Sequence, residues 1–97
     1  MSLTWAIYDI TDDKIRQKIV KLCKTYGLYR VQKSVFLGEL NNNILDEFTL
    51  QSEEVINPDE DSVYVFPMCE QDFKKVKLLG QAFDKDLVSD KVLQLFV

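Results

Sequence analysis

Residues 3–26 read LTWAIYDITDDKIRQKIVKLCKTY and contain a strand followed by a helix. Residues 3–10 are rich in β-branched and aromatic types and are mostly apolar on both faces, and this pattern predicts a central strand. Thr11 or Asp12 can cap the helix, and Gly27 can take a positive φ just past its end. The apolar positions recur at helical spacing in one stripe, which comprises Ile15, Ile19, Leu22, Cys23 and Tyr26. This pattern predicts a helix over residues 13–26.

The rest of the chain continues the alternation of strand and helix. Residues 28–40 are β-prone but too long for one strand, so we expect a kink or tight turn near residues 32–34. Asn41–Asn43 open a weaker helix to about residue 55, and residues 57–61 form a turn. A strand over 62–68 follows, and Pro67 should end it or confine it to an edge. The order βαββαβ predicts a two-layer α+β domain with helices on one face of an antiparallel sheet.

The chain ends in an apolar segment, Val92-Leu93-Gln94-Leu95-Phe96-Val97. Chain termini are normally polar and frayed unless another part of a structure holds them. We therefore expect an additional C-terminal strand on a sheet edge, either its own or that of a partner.

Length and composition exclude several classes of protein. The 97 residues allow one domain over residues 1–97, and a content of 46% hydrophobic and 29% charged residues is that of a folded chain. The absence of histidine excludes Ser/His/Asp and Cys/His catalysis as well as HExxH and Cys₂His₂ metal sites. Two cysteines indicate a reducing cytoplasm, and no apolar run approaches the ~20 residues that cross a membrane.

The charges are distributed unevenly. The formal net charge is −4, which by itself disfavours nucleic acid as a partner. Residues 1–40, however, contain seven basic and four acidic side chains, whereas residues 41–97 contain five basic and twelve acidic ones. A basic face can bind a phosphate backbone even on an acidic protein.

Asp9 is the candidate chemical group, because it ends the first strand just before a basic helix. Mg²⁺ binds carboxylate oxygens together with water and phosphate oxygens. One aspartate is weak support for a metal site, but two copies related by a two-fold axis would supply a pair. The alternative is that Asp9 begins a turn or caps the helix.

Several short motifs are similar to those of one known family: Tyr8-Asp9-Ile10, Asp13-Lys14 with Arg16, Tyr26-Gly27, Arg30-Val31-Gln32, Ser34-Val35-Phe36 with Gly38, and Asp61-Ser62-Val63 before Pro67-Met68-Cys69. Together they resemble the CRISPR-associated small nuclease family, the second core Cas protein and the partner of the spacer-acquisition integrase. The resemblance covers residues 3–40 densely and residues 58–80 more loosely.

The resemblance implies a ferredoxin-like fold and a cytoplasmic homodimer in which the C-terminal segment 82–97 packs on the partner subunit. Asp9 of both subunits would be the catalytic group and would hold Mg²⁺, or Mn²⁺ in its place, for cleavage of RNA or DNA phosphodiesters. The positions expected at the dimer interface are Phe36, Leu95 and Phe96. Those expected to contact nucleic acid are Tyr8, Lys14, Arg16, Arg30 and Ser34.

Each of these side chains also has a structural interpretation. Tyr8 and Phe36 can fill the core, and the Ser34 hydroxyl can bond to nearby backbone. The lysines of the first helix can form an ordinary solvated face. At the level of function, the alternatives to a nuclease are a non-catalytic dimeric scaffold that bridges integrase subunits on duplex DNA, and an unrelated ferredoxin-like binding module. An RNA-recognition motif would require an aromatic RNP strand, which is absent from the sequence.

Overall fold

The computed structural model describes residues 2–84. Its elements follow the predicted order, with one short helix added after the last strand. They are β1 (Ser2–Asp9), α1 (Asp13–Thr25), β2 (Tyr29–Gln32), β3 (Val35–Leu40), α2 (Asn42–Val55), β4 (Ser62–Met68) and α3 (Glu70–Phe73). The expected turn between β2 and β3 is therefore confirmed, and it consists of residues 33 and 34.

The four strands form one antiparallel sheet in the order β2-β3-β1-β4. Strand β1 is central as predicted, and Asp9 at its end pairs with Ser62 at the start of β4. Among residues 2–84, strand β4 is an edge strand, which explains how it tolerates Pro67. This architecture is the predicted ferredoxin-like α+β fold.

Alternation along β1 divides the core into two clusters. Ala6 and Tyr8 point toward α1 and α2, where they pack with Ile19 of α1, Phe36 of β3 and Phe48 of α2. We call this group the helix-side core. All five residues are buried. Strand β1 supplies the middle of the cluster because it lies between β3 and β4 in the sheet. Burial of these large apolar groups is the main force that holds the helices on the sheet.

Trp5 anchors a second cluster on the opposite sheet face. It packs with Val31, Leu37 and Phe73 of α3, and Val76 and Phe83 lie against the group. The Trp5 and Phe73 ring centroids are 6.1 Å apart. Helix α3 was not predicted, and its position means that part of this second face is covered by the chain that follows β4.

Local sequence signals fix the ends of the elements. The Asp12 carboxylate accepts a hydrogen bond from the amide of Ile15 at 2.9 Å, and Asn41 caps α2 through the amide of Ile44 at the same distance. Gly27 has φ +81°, as expected for the residue that ends α1. Each of these features depends on residues that are close together in the chain, which is why the sequence predicts it well.

The expectations for the C-terminal segment fall mostly on residues that the structure does not describe. The additional strand and the interface positions Leu95 and Phe96 lie outside residues 2–84. Residues 81–84 run beside β2, where the amide of Asp84 donates to the carbonyl of Val31 at 2.8 Å. Within residues 2–84, no helix combines the length and the apolar character needed to cross a membrane.

Candidate active site

Asp9 is exposed at the carboxyl end of the central strand. By the alternation of β1 it lies on the Trp5 face of the sheet, away from α1 and α2. Within residues 2–84, its carboxylate makes no hydrogen bond or ion pair. The Asp9 side chain therefore neither stabilises the turn after β1 nor caps α1, since Asp12 is the cap of that helix.

A groove of about 570 Å³ opens beside Asp9. It collects side chains from β1, α1, the β2–β3 turn and the end of the described chain. Its lining consists of Asp9, Ile10, Arg16, Arg30, Lys33, Ser34 and Asp84. The groove therefore combines three basic groups with two carboxylates, and we call it the Asp9 groove.

Four of the residues singled out in the sequence meet in the Asp9 groove: Asp9, Arg16, Arg30 and Ser34. Two further residues, Lys33 and Asp84, were not predicted. Lys33 falls in the predicted turn between β2 and β3, so the sequence did contain a signal that could have placed it near the groove. Asp84 has no such signal, because it reaches the groove only through the path of residues 81–84 along β2.

Arg16 joins the loop between β1 and α1 to the rim of the groove. Its Nη1 donates to the carbonyls of Ile10 and Thr11 at 3.2 and 3.3 Å, and its Nη2 pairs with the Asp13 carboxylate. These bonds orient the guanidinium, while Asp13 offsets part of its charge. Arg16 therefore has both a structural role and a side chain that lines the groove.

Arg30 lies across the turn between β2 and β3. Its Nη2 and Nε donate to the carbonyl of Lys33 at 2.8 and 3.3 Å, and its guanidinium lies 5.6 Å from the centre of the Phe36 ring. Two fixed contacts hold this cation at the groove. A planar, oriented guanidinium of this kind is suited to phosphate oxygens.

Tyr8 and Phe36 are interior residues, with 3% and 0% of their surface exposed. Their ring centroids are 6.3 Å apart in the helix-side core. Among the described residues they therefore take the core role that the sequence left open. The expectations of base stacking by Tyr8 and of a dimer contact by Phe36 require an accessible ring face, which neither residue has.

The Tyr8 hydroxyl donates to the carbonyl of Lys33 at 2.7 Å. Burial raises the pKa of this phenol, and the positive charge of Arg30 partly opposes the effect. The hydroxyl consequently keeps its proton, and its donor role, throughout the physiological pH range.

A second groove of about 600 Å³ runs along α1 and shares Arg16 and Arg30 with the Asp9 groove. Lys21 and Lys24 also line it. Together the two grooves form a continuous basic strip from Asp9 to the end of α1. Lys14, another predicted nucleic-acid contact, is exposed on α1 and lines neither groove.

A hard divalent cation requires several oxygen ligands. In residues 2–84 there is no group of three or more His, Cys, Asp or Glu side chains suited to a metal ion. Asp9 nevertheless offers exposed carboxylate oxygens without protein partners, which is the ligand type that Mg²⁺ and Mn²⁺ prefer. The residue fits a site in which water, phosphate or a second copy of the chain supplies the other ligands.

The chain is similar to a known family of proteins. The family model described as CRISPR associated protein Cas2 matches residues 1–76, more than half of the chain. The chain belongs to the Cas2 family. The matched region includes Asp9 and every other residue of the Asp9 groove except Asp84.

Individual Cas2 proteins are similar over most of their length. A CRISPR-associated endoribonuclease Cas2 of Desulforudis audaxviator is 36% identical over 76 residues, which cover 78% of this chain and 72% of the relative. One from Korarchaeum cryptofilum is 35% identical over 79 residues, covering 77% and 81%. A CRISPR-associated endonuclease Cas2 of Thermus thermophilus is 34% identical, covering 75% and 76%.

Solved structures show the same fold. A hypothetical protein from Thermus thermophilus superposes with a TM-score of 0.70 at 32% identity, over 81% of this chain and 90% of that protein. The crystal structure of Streptococcus pyogenes Cas2 at pH 6.5 gives a TM-score of 0.68 at 24% identity, over 80% and 99%. At that identity the second match is evidence for the fold alone.

Proposed function

We propose that the protein is a metal-dependent nuclease of the CRISPR adaptation module, acting in the cytoplasm on RNA or DNA phosphodiesters. One observation carries this proposal: Asp9, an exposed carboxylate that has no partner among residues 2–84, lies in a groove with Arg16, Arg30 and Lys33. Phosphodiester cleavage needs this combination of a metal ligand and cations that bind phosphate. The names of the curated Cas2 relatives, endoribonuclease and endonuclease, support the same class of reaction.

Each residue of the groove has a defined task in this proposal. Asp9 holds Mg²⁺ or Mn²⁺ and is the catalytic residue. Arg16 and Arg30 bind the non-bridging oxygens of the phosphate, and their hydrogen bonds to backbone carbonyls hold them ready before substrate arrives. Lys33 and Ser34 line the groove, and their side chains contact the nucleic-acid backbone next to the scissile phosphate. When bound, the metal ion acts as a Lewis acid and lowers the pKa of water.

A homodimer completes the site in this proposal. Asp9 shares the Trp5 face of the sheet with a cavity of about 390 Å³ whose lining is apolar except for Gln32 and includes Trp5, Ile7 and Phe66. Apolar surface of this kind favours burial against another protein surface. A second copy packed there across a two-fold axis would bring a second Asp9 toward the first.

The metal-dependent cleavage is tested with labelled RNA and duplex DNA in the presence of Mg²⁺ or Mn²⁺. Asp9→Asn preserves the size of the side chain and should reduce cleavage by on the order of 10²-fold or more, because it removes a charged ligand. Asp46→Asn is the matched control, since Asp46 is exposed on α2 and does not line the Asp9 groove. Cleavage that survives Asp9→Asn would contradict the proposal.

A scaffold that joins integrase subunits on duplex DNA is the second candidate, and the outer edge of the sheet favours it. Tyr64 and Phe66 are stacked on edge strand β4 at 6.2 Å and are 52% and 47% exposed. Exposed aromatic side chains on an edge strand are suited to a protein partner. If the scaffold is the physiological role, Asp9→Ala leaves spacer acquisition unchanged, whereas Tyr64→Ser, a change outside the apolar cavity assigned to the second copy, weakens integrase binding.

A further inference from the structure

The turn between β2 and β3 is held by an unusual concentration of donors. Three N–H or O–H groups point at one oxygen, the carbonyl of Lys33. The Tyr8 hydroxyl lies 2.7 Å from it, Arg30 Nη2 lies 2.8 Å away and Arg30 Nε lies 3.3 Å away. The donors come from two different strands, so this single carbonyl links β1 to β2 across the turn.

Tyr8 makes a second bond to the same turn. Its backbone amide donates to the carbonyl of Ser34 at 3.1 Å. The main chain and the side chain of Tyr8 therefore hold the carbonyls of both turn residues. On the other side of the turn, the Gln32 side chain accepts a hydrogen bond from the amide of Lys33 at 2.9 Å.

The Tyr8 side chain lies next to the Asp9 groove but points away from it. Tyr8 precedes Asp9 in β1, and its ring faces the helix-side core while the Asp9 carboxylate faces the opposite side. Lys33 and Ser34, which Tyr8 holds, line the Asp9 groove. The hydrogen bond from the Tyr8 hydroxyl is partly buried, so water competes with it less than with an exposed bond. The hydroxyl of Tyr8 therefore fixes one groove wall relative to Asp9.

We propose that Tyr8 is a positioning residue, which holds the 33–34 turn against the end of β1 and so places Lys33 and Ser34 beside the scissile phosphate. This inference rests on the proposed nuclease function. It assigns Tyr8 a task different from base stacking, because its side chain acts from inside the core through the carbonyl of Lys33.

Tyr8→Phe tests this role, since it removes only the hydroxyl. The carbonyl of Lys33 keeps its two bonds from Arg30, and the ring still fills the core. We expect kcat to fall roughly tenfold, as a small misplacement of groups in the groove would cause. The Kd for RNA should change less than about twofold, because all the cations remain. Hydrogen exchange of the peptide covering residues 30–36 should become faster.

Tyr26→Phe is the matched control. Its hydroxyl donates to Glu47 at 2.9 Å between α1 and α2, away from the Asp9 groove. It should alter neither kcat nor exchange in residues 30–36. Arg30→Lys is a second test, because a lysine keeps the positive charge but cannot place two N–H groups on the Lys33 carbonyl. This variant should also speed exchange at the turn.

Faster exchange together with a lower kcat and an unchanged Kd supports the assignment. It is overturned if Tyr8→Phe behaves like Tyr26→Phe, if cleavage falls without any change in exchange, or if exchange rises without any loss of cleavage. Should the wild-type protein fail to cleave RNA or DNA, the proposed function is what has failed. In that case the exchange comparison alone decides whether Tyr8 holds the turn.

Discussion

The two cysteines have opposite environments. Cys23 is fully buried in the helix-side core, and this burial raises its pKa from 9.0 to about 12. Cys69 is exposed at the start of α3, where its sulfur accepts a hydrogen bond from the amide of Asp72 at 3.5 Å. Because only the thiolate reacts readily, Cys23 should be protected by the fold and Cys69 should not.

An aromatic disulfide reagent at pH 8 should therefore modify one thiol rapidly and the second only after unfolding. Cys69→Ser should remove the fast phase and Cys23→Ser the slow one. The raised pKa of Cys23 also makes stability depend on pH. This thiol has no effect below pH 9, where it is protonated in both states, and it lowers the stability of the fold as pH rises from 9 toward 12, because the unfolded chain ionises first. Two equally fast thiols would contradict the buried position of Cys23.

At the scale of the secondary-structure elements, the N-cap of α2 offers a clean test. Asn41 accepts a hydrogen bond from the amide of Ile44 at 2.9 Å, whereas Asn43 is exposed inside the helix. Asn41→Ala should lower the free energy of unfolding by about 1 kcal/mol. Asn43→Ala is the same chemical change without the cap and should not destabilise the protein, since alanine favours a helix. Urea denaturation of both variants measures the difference.

Most of the secondary-structure elements are predictable from the sequence, because local signals determine them. The stripe of α1, the caps at Asp12 and Asn41 and the positive φ of Gly27 all depend on neighbours within a few positions. Helix α3 is different. It has only four residues, and its position depends on packing between Phe73 and Trp5, which are far apart in the sequence. Local patterns therefore do not reveal it.

At the scale of the whole molecule, five basic side chains line two adjoining grooves in spite of the net negative charge: Arg16, Lys21, Lys24, Arg30 and Lys33. If the Asp9 groove binds a phosphate backbone, affinity should fall steeply with salt concentration. Lys33→Gln should weaken binding and reduce the slope of log K against log salt by about one. Lys77→Gln removes the same charge at an exposed position outside the grooves and should leave the slope unchanged. Equal slopes for both variants would argue against this groove.

The candidate site is only partly predictable from the sequence. Asp9, Arg16, Arg30 and Ser34 are found through their motifs and do meet in one groove. The roles of Tyr8 and Phe36 depend on which face of the sheet the helices cover, so only the structure assigns them to the core. The position of Asp84 in the groove depends on the hydrogen bond from its amide to the carbonyl of Val31, which is far earlier in the chain. Such long-range contacts leave no local pattern.

The number of metal ions bound per chain tests the proposed shared site most directly. Titration with Mn²⁺, followed by electron paramagnetic resonance on a sample whose mass is measured by sedimentation, gives this number. We expect a dimer that binds one ion per two chains, and loss of that ion in Asp9→Asn but not in Asp46→Asn. A monomer, or an ion that binds Asp9→Asn as tightly as the wild-type protein, would contradict it.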